Sequence, residues 1–157
     1  MKRVLPLILA ATLMLSLAAC GGEQSSNMTQ EEMEEIAEEM SIDDFQDIQS
    51  NEAKANTLVG NIYEVTGFIS TVTEEYFIMT QGSVETDGVH TLVSTPVVFH
   101  VYLPTEILAN LPSYGEIIVL GEVTGISSDT YEDIWGTEND RMVVEMKNAY
   151  MKEVIEN

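Results

Sequence analysis

Gly115-Glu-Ile-Ile-Val-Leu-Gly-Glu-Val-Thr-Gly125 decides the fold. Ile117 and Val119 fall on one side of it, at the two-residue period of a strand with one covered face. Gly121 and Gly125 interrupt the run, and glycine inside a strand permits the bulge or sharp bend by which a sheet curls onto itself. The pattern repeats upstream. Asn61 to Ser70 puts Tyr63, Val65, Gly67 and Ile69 on one face, with a bend expected at Gly67. Glu75 to Thr80 follows after a short turn. Pro96 to Leu103 alternates with Val97, Phe99, Val101 and Leu103 inward, its proline at the first position, where a strand tolerates one. Thr105 to Leu111 carries Ile107, Leu108 and Leu111 on one side between Pro104 and Pro112 and reads as a short helix. Arg141 to Met151 is the fifth strand. The predicted core is Val65, Ile69, Phe99, Val101, Ile117, Val119 and Val144.

Three strands, a short helix and two more strands is the element order of an OB-fold, a small Greek-key barrel. The chain resembles the tRNA-anti-like OB-fold domains of bacterial lipoproteins over roughly residues 50 to 152. The stretches that carry the resemblance are Asn51 to Ala55, Tyr63-Glu-Val-Thr-Gly67, Val98-Phe-His-Val-Tyr102, Leu108 to Leu111, Tyr114 to Gly121 and Val143 to Ala149. It implies a mainly β chain with a five-stranded OB-fold Greek-key barrel at 59–153, an N-terminal helical segment at 29–58 and a short helix between strands three and four. It transfers no catalytic residue, and a fold does not by itself give a function.

Ahead of the strands, Glu23 to Val59 contains neither glycine nor proline. Thr29-Gln-Glu-Glu32 is a capping box, and Met33, Ile36 and Met40 recur behind it at helical spacing. Ser41-Ile-Asp-Asp44 is a second cap-like start, followed by Phe45, Ile48 and Ala55. The apolar phase slips between Met40 and Phe45, which predicts two helices or one bent one. Glu31, Glu32, Glu34, Glu35, Glu38 and Glu39 fill the opposite side as a solvated face.

The first residues carry an address. Lys2 and Arg3 are followed by an apolar run from Val4 to Ala19 that ends in Leu17-Ala18-Ala19-Cys20. The run falls short of the about 20 apolar residues that span a bilayer. It resembles a bacterial lipoprotein signal peptide at 1–19. The resemblance implies a diacylglycerol on the Cys20 sulfur, cleavage that makes Cys20 the N-terminus, and a tether on the extracytoplasmic face of the cell membrane. Cys20 is the only cysteine, so no internal disulfide is available, and 20–28 is a polar spacer.

Without the leader, four basic residues face 27 acidic ones, a formal charge of −23. Lys54, Arg141, Lys147 and Lys152 do not make the basic track that replaces counterions along phosphates, so no nucleic-acid partner is expected. OB-folds bind through the face of strands two and three and through the loops joining strands one to two and four to five. The aromatic residues so placed are Tyr76, Tyr102, Tyr131 and Trp135, the last two read as loop residues. They suit a protein, peptide or glycan edge, because Trp and Tyr are interface anchors. Trp135 folding back over the barrel mouth is the plainer account of that residue.

Asp129, Glu132, Asp133, Glu138 and Asp140 crowd the same stretch without the spacing of a calcium loop, and His90 and His100 lack the further ligands of a zinc site. With no G-x-S-x-G, P-loop or Cys-His pair, neither an enzyme nor a cofactor is expected. The leading expectation is a non-catalytic, membrane-tethered binding module. A cation-binding acidic surface protein is the first alternative. A small hydrolase, which would need His100, Glu122 and Asp140 to converge, is the second.

Overall fold

Each alternating stretch becomes a strand with its predicted side inward. The structure, a computed structural model, describes residues 28–155 except 43, 46–50, 87–88, 93–95 and 133–134. The leader and Cys20 lie outside the described residues. In chain order the elements are α1 (Gln30–Ile36), β1 (Glu38–Ser41), α2 (Glu52–Asn56), β2 (Ile62–Val72), β3 (Tyr76–Thr80), β4 (Ser83–Thr86) and β5 (Val89–Leu92). They continue as β6 (Val97–Tyr102), α3 (Thr105–Leu108), β7 (Gly115–Glu132) and β8 (Glu138–Ile155). Among the described residues no helix is long and apolar enough to cross a membrane.

The main sheet runs β1-β2-β3-β6-β8-β7, and β7 pairs again with β2. The β6–β8 and β1–β2 ladders are parallel and the rest antiparallel. Five of its six strands therefore pair in a ring. The protein is mainly β, with a mixed six-stranded sheet and a few short helices, consistent with an OB-like β-barrel.

All seven predicted core residues are fully buried. The segment between β1 and β2 adds Ile42, Phe45, Ala55 and Leu58 to the same cluster. The Phe45 ring stands edge-on to Phe99 at 4.7 Å and to Tyr63 at 5.6 Å, the preferred geometry for aromatic pairs. This N-terminal segment is thus part of the core. The Ser41–Asp44 box has formed, with the Ser41 amide and hydroxyl both donating to the Asp44 carboxylate at 2.8 Å.

Glycine is required at two places by close approach. A Cβ on Gly67 would stand 2.6 Å from both Ile42 Cδ1 and Met79 Cγ and 2.8 Å from the Thr80 carbonyl oxygen. One on Gly121 would stand 2.5 Å from Met146 Cγ. The β7–β8 register shifts between Leu120 and Glu122 and again between Val123 and Gly125, so Gly121 and Gly125 mark bulges as expected. In β2 the shift falls between Ile69 and Thr71, beyond Gly67, whose role is contact with its neighbours across the core.

Three expectations are corrected. The helix predicted to carry Met33, Ile36 and Met40 stops at Ile36, which is exposed, while Met40 lies in β1, paired with Val65. Only Met33 is buried, against Ile62 and Leu120. The capping box holds the helix start, with the Thr29 amide donating to Glu32 at 2.8 Å, but nothing basic supports the last turn. Extending the chain instead gives four residues a ladder on β2. The β4–β5 hairpin stands where no element was assigned. The acidic stretch 127–140, read as a loop, is mostly β7–β8 ladder, paired out to Glu132 and Glu138.

Candidate functional site

Alternation that buries Phe77, Met79, Phe99 and Val101 turns Tyr76, Ile78, His100 and Tyr102 outward on β3 and β6. Register sets Tyr76 opposite Tyr102, Ile78 opposite His100, and His100 opposite Glu145 of β8. At one end this outward face is covered, since Thr80, Val98 and Val143 are buried. At the other it is open.

Tyr76 and His100 stack with centroids 4.5 Å apart and planes 15° apart, and Tyr102 tilts against Tyr76 at 5.3 Å. Lys147 Nζ lies 4.9 Å from the Tyr102 centroid and 3.6 Å from Glu145 Oε2. Further along, Arg141 donates to Asp129 at 2.8 Å and its guanidinium carbon stands 5.8 Å from the Tyr131 ring. Both cations are within reach of a favourable ring contact.

Burial, aided by the Arg141 charge, holds the His100 imidazole below the ordinary histidine range, against the upward pull of Glu145 and Asp129. Burial raises the Tyr102 phenol, and the Glu145 carboxylate, the neighbouring Tyr76 phenol and the Glu75 carboxylate push it the same way. A depressed histidine pKa means that the unfolded chain binds the proton more readily. Stability contributed by neutral His100 is therefore present above about pH 6.5, the unperturbed value, and is lost as pH falls through the folded value. In urea titrations at pH 7 and pH 5, wild type is expected to lose more stability than His100→Gln. Equal losses in the two proteins would remove His100 from the balance.

Of the four aromatic residues predicted for the site, the structure brings Tyr76 and Tyr102 together. Tyr131 lies near the end of β7 beside Arg141. Trp135 is 82% exposed at the tip of the β7–β8 hairpin, which overturns the account in which it covers the barrel mouth. His100, Lys147 and Arg141 are the members that sequence reasoning left out, although the alternation of Val98 to Tyr102 already put His100 and Tyr102 on one side.

His100 is engaged by Tyr76 and lies opposite Glu145, whereas Glu122 accepts from Asn148 at 2.9 Å and Asp140 lines a separate cleft with Arg141 and Ser127. Among the described residues no group of three or more His, Cys, Asp or Glu is placed to hold a metal ion.

No protein family and no curated protein matches the chain. Among solved structures it is similar to the mitochondrial single-stranded DNA-binding protein Rim1 of S. cerevisiae, at 12% identity and TM-score 0.31, over 61% of this chain and 98% of that one. It is also similar to a structure described as an aspartyl-tRNA synthetase from Leishmania major Friedlin, at 14% identity and TM-score 0.40, over 87% of this chain and 24% of that one.

Both names are of proteins that handle nucleic acid, and the expected exclusion of nucleic acid as a partner is withdrawn. The exclusion rested on four scattered basic residues and a charge of −23; the fold sets two of the four, Arg141 and Lys147, beside aromatic rings, each paired with a carboxylate. At these identities and scores the likenesses assign no ligand.

Proposed function

We propose that this chain is a lipid-anchored extracytoplasmic protein whose five-stranded OB-type Greek-key barrel, of the tRNA-anti-like kind, is a non-catalytic binding module for a protein, peptide or envelope polymer. The observation that carries the reading is the outward cluster of Tyr76, His100 and Tyr102 on adjacent strands. Aromatic rings bring large contact area at low side-chain entropy cost and dominate interfaces when a partner covers them. Their place on paired strands makes the platform rigid, so little ordering cost opposes binding.

The anchor is supported by Lys2, Arg3, the apolar run and Leu17-Ala-Ala-Cys20. Met28, the first described residue, is held by Tyr150, whose hydroxyl donates to its carbonyl at 3.2 Å. The seven residues between Cys20 and Met28 reach at most about 25 Å, which keeps the barrel close to the bilayer. Replacing Cys20 by Ser is expected to abolish acylation and to leave unprocessed precursor or released protein. Fractionation and mass measurement read this directly, and a processed Ser variant that still sediments with membranes would refute the anchor.

The binding reading is tested with the Tyr76→Ala and Tyr102→Ala variants in the native envelope. Envelope material that co-purifies with wild type after crosslinking is expected to fall at least tenfold with either variant. Unchanged recovery from a folded variant would place the binding surface elsewhere.

A further inference from the structure

Beside the platform, a shallow cleft of about 640 Å³ opens between the β2–β3 turn, the end of β6 and β8. Tyr102 and Tyr150 are its aromatic members, Glu74 and Glu75 its charged ones, and Asn148 and Met28 also line it. No Lys or Arg lines it among the described residues. Two carboxylates at the mouth repel an anionic guest. Aromatic faces attract cations through the negative side of the ring quadrupole. Lys147 Nζ, paired with Glu145 at 3.6 Å, already stands 4.9 Å from the Tyr102 centroid, so Glu74 and Glu75 must outweigh its charge for a guest cation to bind.

Asn148 is the only non-glycine residue with positive φ among those described, 48°, in the left-handed region that Asn tolerates better than most. Its side chain is fixed on Glu122 at 2.9 Å, so this wall of the cleft is ordered by a bond of its own.

We infer that this cleft binds an organic ammonium group, primary or quaternary, carried at the end of a flexible chain. The inference deepens the binding-module reading and rests on it: it names the group by which a partner lying on the Tyr76–Tyr102 face is held. A quaternary group has no N–H to donate and depends on the rings and the nearby negative charge, whereas a primary amine adds hydrogen bonds to Glu74 and Glu75. The shared chemistry is a compact positive charge against rings and carboxylates.

The test uses the full chain in maltoside micelles, with NMR titration of three probes. These are choline, Nα-acetyl-lysine amide, and 3,3-dimethyl-1-butanol, which has the shape of choline without its charge. Saturable shifts at Tyr102 and Glu75 are expected with at least one cation, at an affinity at least tenfold above that of the neutral alcohol. The tighter of the two cations identifies a quaternary headgroup or a lysine side chain as the source.

Glu74→Gln combined with Glu75→Gln is expected to weaken that cation at least fivefold while leaving the fold intact, because both side chains are exposed. Equal shifts from choline, the lysine amide and the alcohol, or an affinity unchanged by the double substitution, would overturn the inference. Loss of envelope crosslinking in Tyr76→Ala with no cation binding in wild type would sink the ammonium site and leave the binding module standing. Cation binding without any crosslinking dependence on Tyr76 would do the reverse.

Discussion

Phe99→Ala is expected to destabilise the protein by about 3 to 5 kcal/mol, the usual cost of deleting a buried aromatic ring. Phe99 has no exposed surface, lies on β6 between two pairing neighbours, and meets Phe45 edge-on at 88°. Its removal takes contacts from the ring of strands and from the N-terminal segment at once. Against a total stability of about 5–15 kcal/mol for a typical domain, such a loss shifts the denaturation midpoint far. Urea titration should show the shift with an unchanged slope. A loss under about 1 kcal/mol, near the range of surface substitutions, would mean that β6 presents its other side to the core.

Gly67→Ala is the second large effect, and it acts by overfilling. The added methyl would meet two side chains at 2.6 Å and the Thr80 carbonyl at 2.8 Å. Ile42 and Met79 have torsions with which to give way, but the carbonyl belongs to the backbone of β3. Overpacking a tight core costs about 1–3 kcal/mol, occasionally more. The same substitution at Gly82, whose nearest neighbours are Phe68 ring atoms at 3.9 and 4.0 Å, is the control and should be mild. Thermal unfolding of the two variants side by side reads the difference. Equal melting temperatures would show that β2 and β3 do not approach as closely as they do here.

What was legible in the sequence followed the two-residue period. Val65, Ile69, Phe99, Val101, Ile117, Val119 and Val144 could be placed inside because alternation assigns a side to each residue and a one-residue slip would turn every one of them out. Tyr76 and Tyr102 follow from the strands by which OB-folds bind, and the alternation that buries Phe77 and Val101 turns both outward.

β1 was hidden because Met33, Ile36 and Met40 satisfy helical spacing by chance, while the actual partner of Glu38 to Ser41 lies in β2, far along the chain. Local pattern carries no information about a tertiary ladder. The β4–β5 hairpin did have a signal, since Asp87-Gly88 between short β-branched stretches is a favoured hairpin turn. The long β7–β8 arm was obscured by its acidity. Glu132 and Glu138 face each other across the ladder, a like-charge pair that strand propensity argues against. His100 as a member of the platform was hidden for another reason: its stacking on Tyr76 depends on the register between β3 and β6, which the sequence does not state.

We place the partner of this protein on the outward face of β3 and β6. The most direct measurement replaces Tyr76 by a photoreactive phenylalanine analogue in the anchored protein and irradiates intact cells. The same analogue at exposed Thr66, on β2 opposite Ile118 and Ser41, serves as the comparison. Position 76 is expected to give a discrete crosslinked product that is missing from position 66. Equal products from both positions, or a product from position 66 alone, would contradict it.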